Sequence, residues 1–308
     1  MPLRVAIPDM ISPSYFPAIA AVELGFFKRE GLDATIELIF PVTKTYEILR
    51  DGVVDYVGGA AHAPLYAFPN WQGCKIIGAL SQHMYWFLVM RKDLNIARGD
   101  LKAVRGLRIG AAPGPVDGLK RMLTQIGMDP ARDVQIGPVP GSAAAGQSFG
   151  VAAAKALEEG KLDGFWANGM GYEVAVRSGI GSLVLDARRG DGPAGAVDYT
   201  FAAWVTTQKK LDERPDEVAA AVRAMVAAQQ ALKADPSIAP RAVGKHFPAA
   251  ETALIAELIR RDAPFYDPSI SVAKIDALNQ FGRDMGLLSG QPTYSDVVAT
   301  SVQPLWHS

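Results

Sequence analysis

The residues of this sequence that could do chemistry are few: four histidines, one cysteine and a scattering of acids at the ends of predicted elements. His62, in "GGAAHAPLYAF", and His83, in "LSQHMYWFL", each stand just past a predicted strand end. A neutral imidazole there can donate a hydrogen bond to a bound molecule or act as a general base. No nucleophile accompanies either one, so no catalytic residue is expected. His246 and His307 complete the set; none of the four stands at helical spacing from a second ligand type, and no metal site is expected. Cys74, in "NWQGCKIIGAL", opens a predicted strand and reads as a small buried hydrophobe. As the only cysteine it excludes an internal disulfide and any cysteine-based metal cluster. Walker, zinc, Gly-x-Ser-x-Gly and dinucleotide patterns are absent. "NGMGYEV" (168–174) lacks the third glycine and reads as a strand-to-helix turn. No resident cofactor is expected.

The elements that position these residues start at the amino terminus with "LRVAI", a strand. In "AIAAVELGFFKREGLDATIEL" (18–38), the apolar spacing after Pro17 predicts a helix over 18–27. Lys28 and Arg29 suit the negative end of its dipole, and Gly31 can take the left-handed conformation that stops it. "DATIELI" then alternates as a half-buried strand. The chain of 308 residues, 49% apolar and 20% charged, has the make-up of an ordinary globular protein. A net charge of −1 gives no field for nucleic acid, and no nucleic-acid partner is expected. "VAAAVRAMVAAQQALKA" (218–234) is interrupted by Arg223, Gln229 and Gln230, as in an amphipathic helix on a core. "MPLRVAIPDM" shows no leader pattern, so the expected location is cytoplasmic, or periplasmic if a leader was removed.

Self-comparison reveals a repeat. "LRDGVVDYVGGA" (49–60) and "LEEGKLDGFWAN" (157–168) share Leu-x-x-Gly-x-x-Asp before a short strand. Upstream, "REGLDATIELI" parallels "QIGMDPARDVQIG", and "RVAIPDM" parallels "LRIGAAPG". Asp55 and Asp163 recur in it and read as structural turn acids. Alternating strands and helices in two copies predict an α/β fold of two Rossmann-like lobes with a hinge and a ligand cleft between them. The expected division is 1–91 with 200–308 for the first lobe, including C-terminal helices, and 92–199 for the second. The crossings near 91 and 199 would form the hinge.

In such an architecture the ligand meets loops that follow strands. Lobe one offers Ile11, Ser12 and Tyr15 after its first strand, then Lys44 and Thr45, Ala60 and His62, and Gln82, His83 and Tyr85. Lobe two offers Pro113, Gly114, Val116 and Asp117, then Ser142, then Trp166 and Asn168, with Tyr199 and Phe201 at the hinge. The aromatics and sparse charges suit a flat, partly apolar small molecule, with a carboxylate facing Lys44 or a protonated histidine.

"GFFKREGLD" with "LRDGVVDYVGGA", then "DLKAVRGLRIGAA" and "ALEEGKLDGFWA", resembles the ABC-transporter substrate-binding proteins of the nitrate/sulfonate/taurine and thiamine-precursor type, the NMT1/THI5-like group. The resemblance runs from residue 3 to about 290 and implies the class II periplasmic binding protein fold. It implies a solute-binding protein working with importer membrane subunits, without a covalent step, and expected to be a monomer. Sulfonate binders of the group carry a Ser- or Thr-rich turn where this chain has "AAPGPVDGLK"; the missing hydroxyls and Pro115 weaken anion capture there. Aryl sulfinate desulfinases on this fold use a cysteine in the first loop, and pyrimidine-forming thiamine enzymes a cysteine-rich segment. "PDMISPSYF" has no cysteine, and no such segment occurs. The alternative kept open is a cytoplasmic enzyme acting on a small aromatic acid through a histidine acid–base.

Overall fold

The structure, a computed structural model, describes residues 2–142, 148–244 and 249–307. The chain forms two α/β units, one from Met1–Gln82 with Phe201–Ser308 and one from His83–Thr200. Each holds a five-stranded mixed sheet.

The first sheet contains β1 (Leu3–Ile7), β2 (Ala34–Leu38), β3 (Tyr56–Ala60), β4 (Cys74–Ser81) and β10 (Ala202–Thr207), in the order β2-β1-β3-β10-β4. β1, β2 and β3 run parallel, and β10 is antiparallel to β3 and β4. All of "YVGGA" in β3 is buried, as a parallel-sheet strand covered on both faces must be. Its glycine serves close packing: a Cβ on Gly59 would lie 2.8 Å from the Tyr46 hydroxyl and 2.9 Å from Val42. The helices of this unit are α1 (Phe16–Glu23), α2 (Phe26–Arg29), α3 (Val42–Arg50), and, after β10, α7 (Gln208–Glu213), α8 (Pro215–Ala234), α9 (Ala239–Val243), α10 (Ala249–Asp262), α11 (Val272–Asp284) and α12 (Tyr294–Val297).

The helix expected over 18–27 is broken in two. Gly25 takes φ +79°, so α1 ends and a one-turn α2 follows before Gly31 at φ +76°. An internal glycine within an apolar pattern gave the stop that apolar spacing alone does not signal. α8 packs Val218, Val222, Met225 and Leu232 inward. Gln229, expected as a polar interruption, is buried among them, and its amide donates to the Ala79 and Leu80 carbonyls at 2.9 Å. Among the described residues no helix is long and apolar enough to cross a membrane.

The second sheet contains β5 (Phe87–Arg91), β6 (Arg108–Ala111), β7 (Gln135–Gly137), β8 (Gly164–Ala167) and β9 (Gly181–Asp186), in the order β7-β6-β8-β5-β9. Its helices are α4 (Val116–Gln125), α5 (Phe149–Glu158) and α6 (Gly169–Arg177). β5 corrects the expected division, which gave residues up to 91 to the first lobe. It lies antiparallel between β8 and β9 in the second sheet. A continuous apolar run signals a buried strand but says nothing of which sheet supplies its partners. The chain therefore changes unit between residues 82 and 83 and again between 200 and 201.

The two sheets are copies: β1, β2, β3, β10 and β4 correspond to β6, β7, β8, β5 and β9. The repeated acids occupy equivalent places. The Arg4 N–H donates to Asp55 Oδ2 at 2.8 Å, and the Arg108 N–H to Asp163 Oδ2 at 2.9 Å. In return the Asp55 and Asp163 N–H groups donate to the Arg4 and Arg108 carbonyls, both at 2.9 Å. Each aspartate thus fixes the start of one strand, β1 or β6, against the loop before another, β3 or β8.

Candidate functional site

In the first unit the carboxyl ends of β1, β2, β3 and β4 lie at one end of the sheet. The start of β10 joins them, because Ala202 pairs with both Ala60 and Ser81. β1 leads to β2 on one side and lies beside β3 on the other, so the chain direction switches between β1 and β3. Ligands of open α/β sheets bind beyond such a switch. Two segments meet there, residues 8–15 and 61–62.

Ser12 is fully buried, and its hydroxyl has no hydrogen-bond partner among the described residues. The Ile11 N–H donates to Asp9 Oδ1 at 2.9 Å, and Ile11 and Tyr15 are buried. The loop is held from behind by the C-terminal helices. Ser14 Oγ donates to Asp262 Oδ2 at 3.2 Å, and the Tyr266 hydroxyl to the Pro13 carbonyl at 2.6 Å. His62 follows Ala60; both are fully buried, and the imidazole meets Phe281 of α11 edge-on at 5.2 Å. The Ala61 N–H donates to the Phe201 carbonyl, and Lys274 stands 5.6 Å from the Phe201 ring. Gln82 donates through its amide to the Asp267 and Ser269 carbonyls, both at 2.8 Å. Sequence reasoning missed this backing, because "AAETALIAELIRRD" and "SVAKIDALNQFGRDMGLL" announce helices without saying which loop they support.

Lys44 and Thr45 lie in the first turn of α3 with their polar groups engaged locally. Lys44 is exposed and pairs with Glu47 at 2.8 Å; the Thr45 hydroxyl donates to the Val42 carbonyl at 2.6 Å. Lys44 is a solvated first-turn residue, as its position on the helix dictates.

The second unit repeats the arrangement: the carboxyl ends of β6, β7, β8 and β9 share an end with the start of β5, where Phe87 pairs with Ala167 and Asp186. Pro113 is exposed, and Gly114 turns the chain at φ +88° into α4, whose first turn holds Val116 and the buried Asp117. The Val116 and Asp117 N–H groups already donate to Ala112 and Gly114 carbonyls. Trp166 is fully buried, and its indole N–H donates to the Pro115 carbonyl at 2.9 Å. Asn168 caps α6 through Met170 N–H, so "NGMGYEV" is a strand-to-helix turn. The Ser142 hydroxyl donates to Val139 at 2.8 Å.

Aromatic rings gather at this end. Tyr85 and Trp86 lie 4.7 Å apart, Trp86 and Trp166 6.0 Å apart. Beside them is a residue the sequence reading missed: Arg188, 7% exposed, with its guanidinium 5.8 Å from the Tyr85 ring. It follows β9 in a 3₁₀ turn, Ala187–Arg189, within "DARRG". The Tyr199 hydroxyl bonds Gln125, and Arg121 lies 5.8 Å over its ring. His83 adopts φ +64°, and its Nδ1 lies 2.9 Å from Asp198 Oδ1. The Met84 N–H donates to the Val197 carbonyl beside it.

Cys74 lies at the other end of β4, fully buried, and burial pushes its thiol up to about 12. Burial and the disfavoured thiolate suit a small packed hydrophobe. His246 lies outside the described residues; among those described, no group of three or more metal-binding side chains occurs.

Two copied α/β sheets, each with its switch loops at one end, define a two-lobed type II periplasmic binding protein fold. The family model described as NMT1/THI5 like matches residues 12–239, and the chain belongs to that family. No curated protein matches the sequence. Among solved structures, a protein of Bordetella bronchiseptica RB50 superposes with TM-score 0.79 at 18% identity, over 98% of this chain and 95% of that one. The alkanesulfonate-binding protein SsuA of Xanthomonas axonopodis pv. citri, bound to MOPS, gives 0.71 at 14% identity over 96% and 97%. A mutant of DSZB in complex with biphenyl-2-sulfinic acid gives 0.64 at 15% over 100% and 99%.

Proposed function

We propose that this chain is a solute-binding protein of an ABC-type importer, acting outside the membrane that its importer spans. It takes up a small aromatic carboxylate at loops that follow the carboxyl ends of its strands. The observation that carries the ligand class is Arg188, a buried cation beside Tyr85, whose ring adjoins Trp86 and, through it, Trp166. A guanidinium pairs a carboxylate through parallel hydrogen bonds, and aromatic faces hold a flat ring. Membership of the family, and the binding proteins among its structural neighbours, support the transport role.

Arg188→Met tests the ligand class. Benzoate and related aromatic carboxylates should raise the wild-type melting temperature, since a ligand of the native state stabilises by mass action. The variant should lose that response, and neutral benzamides should give little in either protein. Equal stabilisation by the neutral amides, or a response that survives Arg188→Met, sinks the carboxylate assignment.

One observation favours a second reading. His83 is oriented by Asp198 at 2.9 Å, as a general base would be. An enzyme acting on the same aromatic acid would consume it, and His83→Ala would stop the consumption while leaving binding in place.

A further inference from the structure

We propose a second binding site in the first unit, at the end of its sheet opposite the strand carboxyl ends, for a small neutral polyhydroxylated molecule. A cavity of about 450 Å³ opens there, within the range of about 300–1,000 Å³ common to small-molecule sites. Cys74 pairs with Thr207 at this end of β4 and Ser81 with Ala202 at the other. Seven residue steps of strand separate the two ends, about 23 Å. The site is therefore independent of the one proposed above.

Four carboxamides line the cavity: Asn70, Gln72, Gln208 and Gln291. Asn70 Oδ1 and Gln208 Nε2 are engaged within the protein, at Ser289 and Gly290 and at Asp212. A carboxamide carries both acceptor and donor groups, as Gln72 and Gln291 do here, and a hydroxyl likewise both donates and accepts. A polyol can satisfy such walls without burying an unpaired charge. The two charged linings, Lys75 and Asp296, are of opposite sign and leave no net charge to select an ion. The Lys75 ammonium already donates to the Ser295 and Asp296 carbonyls, at 2.5 and 2.7 Å.

The wall is built in a costly conformation and locked there. Asn70 and Trp71 are consecutive non-glycine residues in the left-handed region, at φ +52° and +66°. Such backbone persists only where its surroundings enforce it, and it concentrates at ligand clamps. Here Asn70 Oδ1 accepts from the Ser289 N–H, the Ser289 hydroxyl and the Gly290 N–H, while the Trp71 indole donates to Asn279 Oδ1 at 3.0 Å. Both sides of the cavity are thereby fixed relative to each other. Gln72 and Gln291 remain exposed beside them.

Isothermal titration of the full chain with glucose, trehalose and myo-inositol tests the proposal, with acetate and ethylammonium as charged probes. At least one of the three polyols should bind saturably. Gln72→Ala/Gln291→Ala should weaken it at least tenfold, while benzoate binding and the melting temperature stay as in wild type; the single Gln291→Ala variant serves if the double one is destabilised. Three results overturn the proposal: no saturable polyol binding, polyol binding that the variants retain, or binding of the charged probes alone. Failure of benzoate binding would bear only on the first site.

Discussion

Replacing Asp163 by Ala should weaken the second unit by about 2–3 kcal/mol, the upper part of what one unsatisfied buried donor costs. The donor is the Arg108 N–H at the start of β6, which loses its acceptor at 2.9 Å. Asp163 is 13% exposed, so water replaces it poorly. The Arg108 guanidinium adds little, because it is largely in solvent and keeps the Lys161 and Gly160 carbonyls. Asp163→Asn keeps an acceptor for the N–H and should lose less than half as much. The Arg108 side-chain hydrogen bond holds the Asp163 carboxyl below the usual carboxylate range. Its contribution is then full above the unfolded value of about 3.9 and fades as the pH falls through the folded value. The gap between wild type and Asp163→Ala should accordingly narrow below about pH 4. Two-unit chains need not unfold in one step, so amide hydrogen exchange, read unit by unit, is the assay. Asp163→Ala should lower protection in β6, β7 and β8 and leave β1, β2 and β3 unchanged. Asp55→Ala, the equivalent substitution, should do the reverse. Loss of protection in neither unit, or equal loss in both for either variant, would refute the assignment of these acids as separate clamps.

Gly150→Ala should cost about 1–3 kcal/mol by overpacking, since its Cβ would lie 2.6 Å from the Gly171 nitrogen, backbone that cannot rotate away; an unchanged melting temperature would show that α5 and α6 do not pack this closely. Cys74 should resist iodoacetamide at pH 8 in the native protein and react after urea unfolding, and modification of the native chain would place the thiol elsewhere. Because burial raises that thiol to about 12, its stabilising effect is complete below the unfolded value of about 8.5 and is lost as the pH climbs from there to the folded one. Gln229→Leu should cost about 1–3 kcal/mol by stripping the donor from two buried carbonyls of β4, and a neutral result in urea denaturation would mean that those carbonyls find other donors.

Much of the fold was legible because it rests on local pattern. The Leu-x-x-Gly-x-x-Asp repeat marks a helix end, a turn and a strand, and the two copies fold alike. Less legible was whatever depends on contacts between distant residues. Nothing in "WFLVMR" tells that β5 pairs with β8 and β9, and nothing near Asp55 names Arg4 as its partner. The candidate site divides in the same way. Loops after strands could be named from strand order, which located Ser12, His62 and Asn168. Arg188 could not, because an arginine in "DARRG" becomes a buried cation only through packing of its turn beside Tyr85. Lys44 shows the converse: a cation in the right loop whose partner, Glu47, stands one helical turn away.

The measurement that bears most directly on solute binding is incubation of the full chain with a mixture of aromatic carboxylates, sulfonates, pyrimidines and small amides. The protein-bound fraction is then isolated and identified by mass spectrometry. A carboxylate recovered from the protein chemically unchanged, at about one per chain and with a matching rise in melting temperature, is the predicted result. Consumption of that compound, abolished in His83→Ala, would contradict the account and make the chain an enzyme.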